Sequence, residues 1–151
     1  MKKGIIIFTT ILFTFAIYTL FKNNFESYNK EELEYELVTG TNKQTIMINE
    51  EVEIYSSIVN KSPYPITLKY GGGSPFKVNI YDSNGEPLLD NAQFPIKSQI
   101  EIKQNEKFST DSYFHTFKTK GNYKIVIEFN AFVEQTHQQL FESITHYVNV
   151  E

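Results

Sequence analysis

Apolar and polar residues alternate with a period of two through most of the chain after residue 32, and this pattern predicts β-strands. In the clearest example, Val52, Ile54 and Ile58 alternate with charged or polar neighbours. Such alternation is typical of a strand with one face in the core and the other in water. The pattern recurs over residues 33–38, 46–48, 66–70, 76–81, 96–102, 123–129 and 140–150. Residues 108–117 are ambiguous because their aromatic side chains fall on both parities.

Turn-forming residues separate these segments. Pro63 and Pro65 cannot donate ladder hydrogen bonds, so they end one strand. Gly71 to Gly73 lack a following lysine and therefore predict a loop or bulge rather than a phosphate-binding loop. Asn84-Gly85 favours a type I′ turn, which predicts that Pro87 to Leu89 return as a hairpin partner. Roughly seven to nine short strands joined by such turns favour an antiparallel sandwich.

Gly121, Tyr123 and Ile125 form the most informative local motif. In immunoglobulin-like sandwiches a tyrosine near the start of strand F anchors the E–F corner through its hydroxyl, two residues before a disulfide cysteine. Tyr123 follows a turn glycine, and Ile125 takes the place of that cysteine. We therefore expect an all-β, immunoglobulin-like antiparallel sandwich over residues 36–151. The alternative is that Tyr123 is simply a β-forming residue after a turn.

The N-terminal eighteen residues from Gly4 to Phe21 carry no charge and follow Lys2 and Lys3. As a helix they would span about 27 Å, close to the hydrocarbon thickness of a bilayer. Positive charge before the helix predicts that the remaining chain is exported. We expect an uncleaved signal anchor over residues 1–22 and a charged stalk over 23–35. The alternative is cleavage near Ala16, which would give a secreted protein.

Composition limits the classes of partner. Between Asn23 and Glu151 eleven lysines face eighteen acids, so this part has a net charge near −7. The chain has no arginine, the residue that most often reads guanine edges and clamps phosphates. We therefore expect no nucleic-acid partner. With no cysteine, disulfides and thiolate chemistry are excluded, and the domain must be held together by its core.

His115, His137 and His146 are the residues best suited to bind a metal, together with Asp111 or Glu134. Metal sites usually place two ligands at close spacing on one element, such as His-x3-His, and the sequence has no such pair. No serine lies in a nucleophile-elbow context. We expect no catalytic residue, cofactor or bound metal, and hence no enzyme. A metal-dependent enzyme stays an alternative if the three histidines converge in space.

From Glu51 onward the order of features resembles the BsuPI-type intracellular proteinase inhibitor family. The resembling segments are Ile58 to Asn60, Pro65 to Leu68, Gly71 to Gly73, Phe76 to Glu86 and Gly121 to Tyr123. The resemblance implies an immunoglobulin-like sandwich and a role in proteinase inhibition. The chain departs from the family in having Pro87-Leu88-Leu89 and no tryptophan after the hairpin. It also carries an export signal, whereas the family is intracellular.

These observations together favour a membrane-tethered, extracytoplasmic module that binds a protein, with the bilayer contacted through residues 4–21. Such modules place their specificity in loops at the ends of the sandwich. The loops with rigid aromatic, proline or glycine character predict Tyr64, Tyr70 and Phe76 as partner contacts. The alternative is a structural or envelope-assembly component that acts through its anchor and stalk.

The anchor prediction can be checked by intact mass. The protein should fractionate with membranes and retain its first residues, because no strong cleavage site follows the apolar run. Mass spectrometry of membrane-extracted protein measures this directly. A chain that begins at Ile17 would contradict the anchor and make the protein secreted.

Overall fold

The computed structural model describes residues 33–89 and 97–151. Within these ranges the chain forms eleven β-strands, β1 to β11. Their bounds are β1 Tyr35–Thr41, β2 Thr45–Ile46, β3 Glu51–Asn60, β4 Ile66–Gly71, β5 Phe76–Tyr81, β6 Pro87–Leu89, β7 Lys97–Ile102, β8 Lys107–Ser109, β9 Tyr113–Thr116, β10 Gly121–Val133 and β11 Gln138–Val150. The anchor predicted over residues 1–22 lies outside the described ranges. In these ranges no helix is long and apolar enough to cross a bilayer.

The first sheet is built around β3. Strand β1 pairs antiparallel with one edge of β3 along its whole length. Strands β8 and β9 pair one after the other with the opposite edge. Val52, Ile54 and Ile58 of β3 are buried, so the alternation that predicted this strand is confirmed.

The second sheet is built around β10 and β11, which form a hairpin of thirteen paired residues on each strand. The other edge of β10 pairs first with β5 and then with β4. Strands β6 and β7 extend the sheet beyond β5 and β4, respectively. On the far side, β2 pairs with β11 in parallel, an exception to the antiparallel arrangement that the sequence predicted.

The two sheets enclose one hydrophobic core. Strand β3 contributes the three residues named above, and the second sheet contributes buried residues from several strands: Ile66, Leu68, Phe76, Val78, Ile80, Ile102, Ile125, Ile127, Phe129, Ala131, Val133, Val148 and Val150. The strand orders β1-β3-β8/β9 and β2-β11-β10-β4/β5 reproduce A-B-E and A′-G-F-C of an immunoglobulin-like sandwich. The predicted all-β, immunoglobulin-like fold is therefore present.

Tyr123 forms the predicted corner. Its ring is 4% exposed, and its hydroxyl donates to the carbonyl oxygen of Thr119, four residues upstream, at 2.8 Å. The Thr119 hydroxyl lies 2.6 Å from the same phenolic oxygen. Thr119 belongs to the connection between β9 and β10, which is the E–F connection of the fold. The corner thus fixes the point at which the chain enters β10.

Three details differ from the sequence-based expectation. Strand Tyr35–Thr41 and the neighbouring Leu33 pack against the core, so residues assigned to the stalk belong to the compact unit Leu33–Glu151. The ambiguous segment 108–117 includes most of β8 and all of β9, and these two short strands raise the strand number above nine. A hairpin does join β5 to β6, but in its turn only Gly85 has positive φ, whereas a type I′ turn requires it at Asn84 as well.

The Asp82 side chain explains this turn. Its Oδ1 atom accepts hydrogen bonds from the backbone N–H groups of Asn84 at 2.8 Å and Glu86 at 2.9 Å. A carboxylate that satisfies two turn donors stabilises a local conformation that needs only one left-handed residue. These hydrogen bonds also hold the pKa of Asp82 below its usual value.

Tyr123→Phe tests the corner. The variant keeps the buried ring but leaves the Thr119 carbonyl without its donor, so the free energy of unfolding should fall by about 0.5–1.5 kcal/mol. Urea denaturation monitored by circular dichroism measures the change. Tyr147→Phe is the matched control, because that ring is 69% exposed and its variant should keep the parent midpoint. Equal midpoints for all three proteins would refute a stabilising corner.

Candidate functional site

A cleft of about 370 Å³ lies between the two sheets where β8 and β9 face β5. Its lining comprises Ile54, Ser56, Gly73, Ser74, Phe76, Val78, Phe108, Ser109, Thr110, Asp111 and Tyr113. The buried members, chiefly Ile54, Phe76 and Val78, give it an apolar floor. Hydroxyl groups and the exposed Asp111 carboxylate surround that floor. An apolar base with a polar margin is the usual construction of a binding site.

One wall of the cleft comes from a break in the strand that pairs with β3. Ser109 of β8 faces Ser57, and Tyr113 of β9 faces Ile54, so three residues oppose two on β3. This extra residue makes a bulge. The bulge is held by Thr110, whose N–H donates to the Ser56 carbonyl at 3.3 Å and whose hydroxyl lies 3.0 Å from the Ser56 hydroxyl.

The opposite wall comes from the glycine-rich loop. Strands β4 and β5 pair with the same edge of β10, with Lys69 opposite Phe132 and Phe76 opposite Phe129, so they are one strand interrupted by the loop. Gly72 and Gly73 have φ values of 74° and 78°, which only glycine adopts readily. The predicted loop or bulge at this glycine run is therefore confirmed.

The predicted partner contacts differ in their accessibility. Tyr64 is 4% exposed, and Asn60, also buried, donates to its carbonyl oxygen at 2.8 Å, so this loop folds inward. Phe76 is 7% exposed and packs with its ring centre 5.0 Å from that of Phe129. Its remaining surface lies at the floor of the cleft. Tyr64 therefore lies in the core. Of the three predicted contacts, Tyr70 and the edge of Phe76 are accessible to a partner.

Tyr70 lies beside the cleft. Its ring centre is 6.4 Å from that of Phe108, which lines the cleft, and it borders a shallow pocket of about 700 Å³ with Lys69 and Lys97. Burial raises the pKa values of both Tyr70 and Tyr113. Tyrosine is protonated at neutral pH even at its ordinary pKa of about 10. Both hydroxyls can therefore donate hydrogen bonds to a ligand.

Sequence reasoning missed the wall of the cleft that the bulge at Thr110 forms. Thr110 lies 54 residues after Ser56 along the chain, Tyr113 lies farther still on a short strand, and no motif joins the three. The available signal was the change of aromatic parity in residues 108–117. That change is what a bulge between two short strands produces, because each extra residue reverses the face of those that follow.

The three histidines lie on different elements. His115 in β9 packs against Phe117, with ring centres 4.6 Å apart. His146 in β11 places Nε2 2.9 Å from the Thr39 hydroxyl of β1. His137 lies in the β10–β11 turn with φ of 54°. Among residues 33–89 and 97–151, no group of three or more His, Asp or Glu side chains could hold a metal ion.

Strands β1 and β11, which belong to different sheets, contact each other through polar side chains. The Tyr35 hydroxyl donates to the Glu142 carboxylate, and burial together with that carboxylate raises the pKa of Tyr35 to about 12. Burial lowers the pKa of His146. The pKa of His115 in β9 is also lowered, first by burial and then by the Lys118 ammonium.

Comparison with known proteins gives only solved structures of low identity and low TM-score. No protein-family model and no curated protein sequence matches the chain. The CARDB domain of a Pyrococcus furiosus protein, in complex with di-metal ions, is 18% identical with a TM-score of 0.43 and covers 80% of this chain and 89% of that one. A sporulation control protein of Bacillus subtilis is 14% identical with a TM-score of 0.44 over 78% and 49% of the two chains.

A β-glucosidase from Listeria innocua in complex with glucose is 13% identical with a TM-score of 0.43, covering 80% of this chain and 16% of the enzyme. At this level of similarity, the assignment of the fold rests on the strand order and corner of the chain itself. The immunoglobulin-like fold implied by the BsuPI resemblance is present, whereas no family model supports membership of that family.

Stability should fall as the pH drops below the ordinary histidine pKa of about 6.5. The folded protein holds the pKa values of His115 and His146 below those of the unfolded chain. As the pH falls, the unfolded chain therefore takes up protons first. The contribution of the two histidines to stability is fully present above about pH 6.5 and is lost as the pH falls toward their folded pKa values. Urea midpoints between pH 7.5 and 5.5 should show this loss.

His146→Gln separates one contribution, because glutamine can still hydrogen-bond to Thr39 but does not titrate. Its pH dependence should be flatter than that of the parent. His137→Asn is the control, since asparagine tolerates positive φ and the residue is exposed. Identical pH profiles for the parent and His146→Gln would show that His146 does not contribute.

Proposed function

We propose that the chain is a membrane-tethered, extracytoplasmic binding module that engages a protein partner through the cleft between β5 and β8/β9. The observation that carries this proposal is the cleft itself, with Phe76 and Val78 at its floor and Thr110 and Asp111 at its margin. An apolar floor can accept a side chain of the partner, and the surrounding hydroxyls can satisfy the partner's backbone.

Both walls of the cleft are irregularities in otherwise regular sheets. The glycine loop and the bulge at Thr110 interrupt strands that continue on either side. Bulges and conformationally special glycines are concentrated at functional sites, where they direct side chains that a regular strand would turn away. Hydrogen bonds at Ser56 and Ser74 hold this geometry before a partner binds, and preorganisation of this kind favours affinity.

Proteinase inhibition is the finer proposal, and its support is the BsuPI resemblance. Many resembling residues, including Ile58, Leu68, Ile80 and Tyr123, are buried. Buried residues specify a fold more directly than a partner, so the resemblance supports the sandwich more strongly than the inhibitory role. The inhibitory role accordingly needs a test that does not depend on the fold.

A panel of purified serine proteases tests inhibition. The protein should slow at least one of them in a dose-dependent manner, and Asp111→Lys should weaken that effect at least tenfold by reversing the charge at the cleft margin, a loss of about 1.4 kcal/mol. Glu101→Lys is the matched control, because Glu101 is also exposed but lies in β7. Equal inhibition by both variants would contradict a contact at the cleft.

Site-specific photo-crosslinking tests binding even if no protease responds. A crosslinker at position 111 should give a discrete protein adduct in intact cells, whereas one at position 101 should not. Replacement of residues 1–22 by an unrelated anchor should leave the adduct unchanged. Loss of the adduct after that replacement would favour the alternative of an assembly component acting through its anchor.

A further inference from the structure

A further pocket, of about 620 Å³, lies against the outer face of the second sheet. Its base is a row of three residues in register across three strands. Lys124 of β10 faces Tyr147 of β11 on one side and Tyr81 of β5 on the other. Directly opposed residues of antiparallel strands share a face, so the three side chains form one continuous platform.

The platform presents two aromatic rings with a cation between them. The Lys124 ammonium lies 5.7 Å from the centre of the Tyr81 ring, within the range of a cation–π contact that orients it. The Tyr147 ring is 69% exposed. The backbones that carry the tyrosines are two strand spacings apart, about 9.6 Å. Lys124 occupies the middle of the row, so the flat ring of a ligand would stack on the exposed Tyr147 ring beside the ammonium.

Polar groups border the platform. The β5–β6 turn contributes Ser83 and the start of β10 contributes Asn122 to the lining of the pocket. The Oδ1 atom of Asp82 accepts hydrogen bonds from two backbone N–H groups of its own turn, so this side chain fixes that border. The ammonium of Lys124 and the exposed side chains of Ser83 and Asn122 can donate to a ligand or, for the latter two, accept from it.

The same face continues along the hairpin with a similar character. Phe141 is 63% exposed and lies opposite Asn130. Between this pair and the platform, Ser143 and Thr145 of β11 present hydroxyls. Thirteen paired residues make a face about 43 Å long. Glu128, Lys77 and Val126 share this face, so the aromatic rings are spaced along a surface of mainly polar and charged side chains.

We propose that this face binds a glycan, with Tyr81, Lys124 and Tyr147 as its principal subsite. A pyranose ring offers flat apolar faces to the tyrosines and hydroxyls to the lysine, serine and asparagine. A single-stranded nucleic acid would also stack on exposed rings, but it requires a strongly positive groove. The chain has no arginine and a net negative charge, which disfavours that ligand. An apolar peptide would need contiguous apolar surface, which the intervening polar residues interrupt.

Isothermal titration calorimetry on the purified full chain tests the proposal. The probes are hexasaccharides of β-1,4-linked glucose and of N-acetylglucosamine, with a single-stranded DNA oligonucleotide as the competing class. At least one hexasaccharide should bind saturably and more tightly than the oligonucleotide. Saturable binding of neither sugar, or tighter binding of the oligonucleotide, would overturn the proposal.

Variants locate the site. Tyr147→Ala and Asn122→Ala change exposed side chains and should each lower sugar affinity, at least tenfold for the tyrosine. Phe114→Ala is the matched control, because this ring is 53% exposed on the first sheet and should leave affinity unchanged. Equal affinity of Tyr147→Ala and the parent would overturn the assignment. Asp111→Lys should bind sugar like the parent, so failure of the cleft proposal would be distinguishable from failure of this one.

Discussion

The register of β10 is the constraint on which the rest of the structure depends. One of its faces carries Tyr123, Ile125, Ile127 and Phe129 into the core. A slip of one residue would turn all of them to water. Along its two edges β10 pairs with β11 and with β5 followed by β4, so its register also sets theirs. The hydrogen bond from Tyr123 to Thr119 fixes where that register begins.

The two candidate sites use this framework in different ways. The platform needs regular pairing, because Tyr81, Lys124 and Tyr147 meet only if three strands stay in register. The cleft instead needs irregularity, since the glycine loop and the bulge at Thr110 interrupt the strands that border it. A regular strand at either place would continue the ladder and remove the loop or the bulge that borders the cleft. Regular pairing at the platform and local irregularity at the cleft therefore occur within the same sandwich.

The sequence could predict those features that depend on residues close together in the chain. Local alternation sufficed for β3, and the glycine before Tyr123 sufficed for the corner, because both depend on neighbours in the chain. The burial of Tyr64 could not be read from its prolines, since it depends on Asn60 folding the loop back onto the core. The short strand β2 pairs in parallel with a segment about a hundred residues later, and no local pattern encodes that partner. The platform joins residues 81, 124 and 147 and required the observed register.

The absence of disulfides gives the aromatic residues a structural role that cysteines fill in many exported sandwiches. Ile125 stands where a bridge would be attached, and two ring clusters connect the sheets instead. In one, the ring centre of Phe129 in the second sheet lies 5.0 Å from that of Phe76 and 6.3 Å from that of Tyr35 in β1. In the other, the ring centre of Phe117, which directly follows β9, lies 4.4 Å from that of Tyr123. Rings at these distances attract through dispersion and quadrupole terms in addition to their buried area. Packing of this kind holds the sheets together without a disulfide. Phe76 takes part in this packing and also forms part of the floor of the cleft.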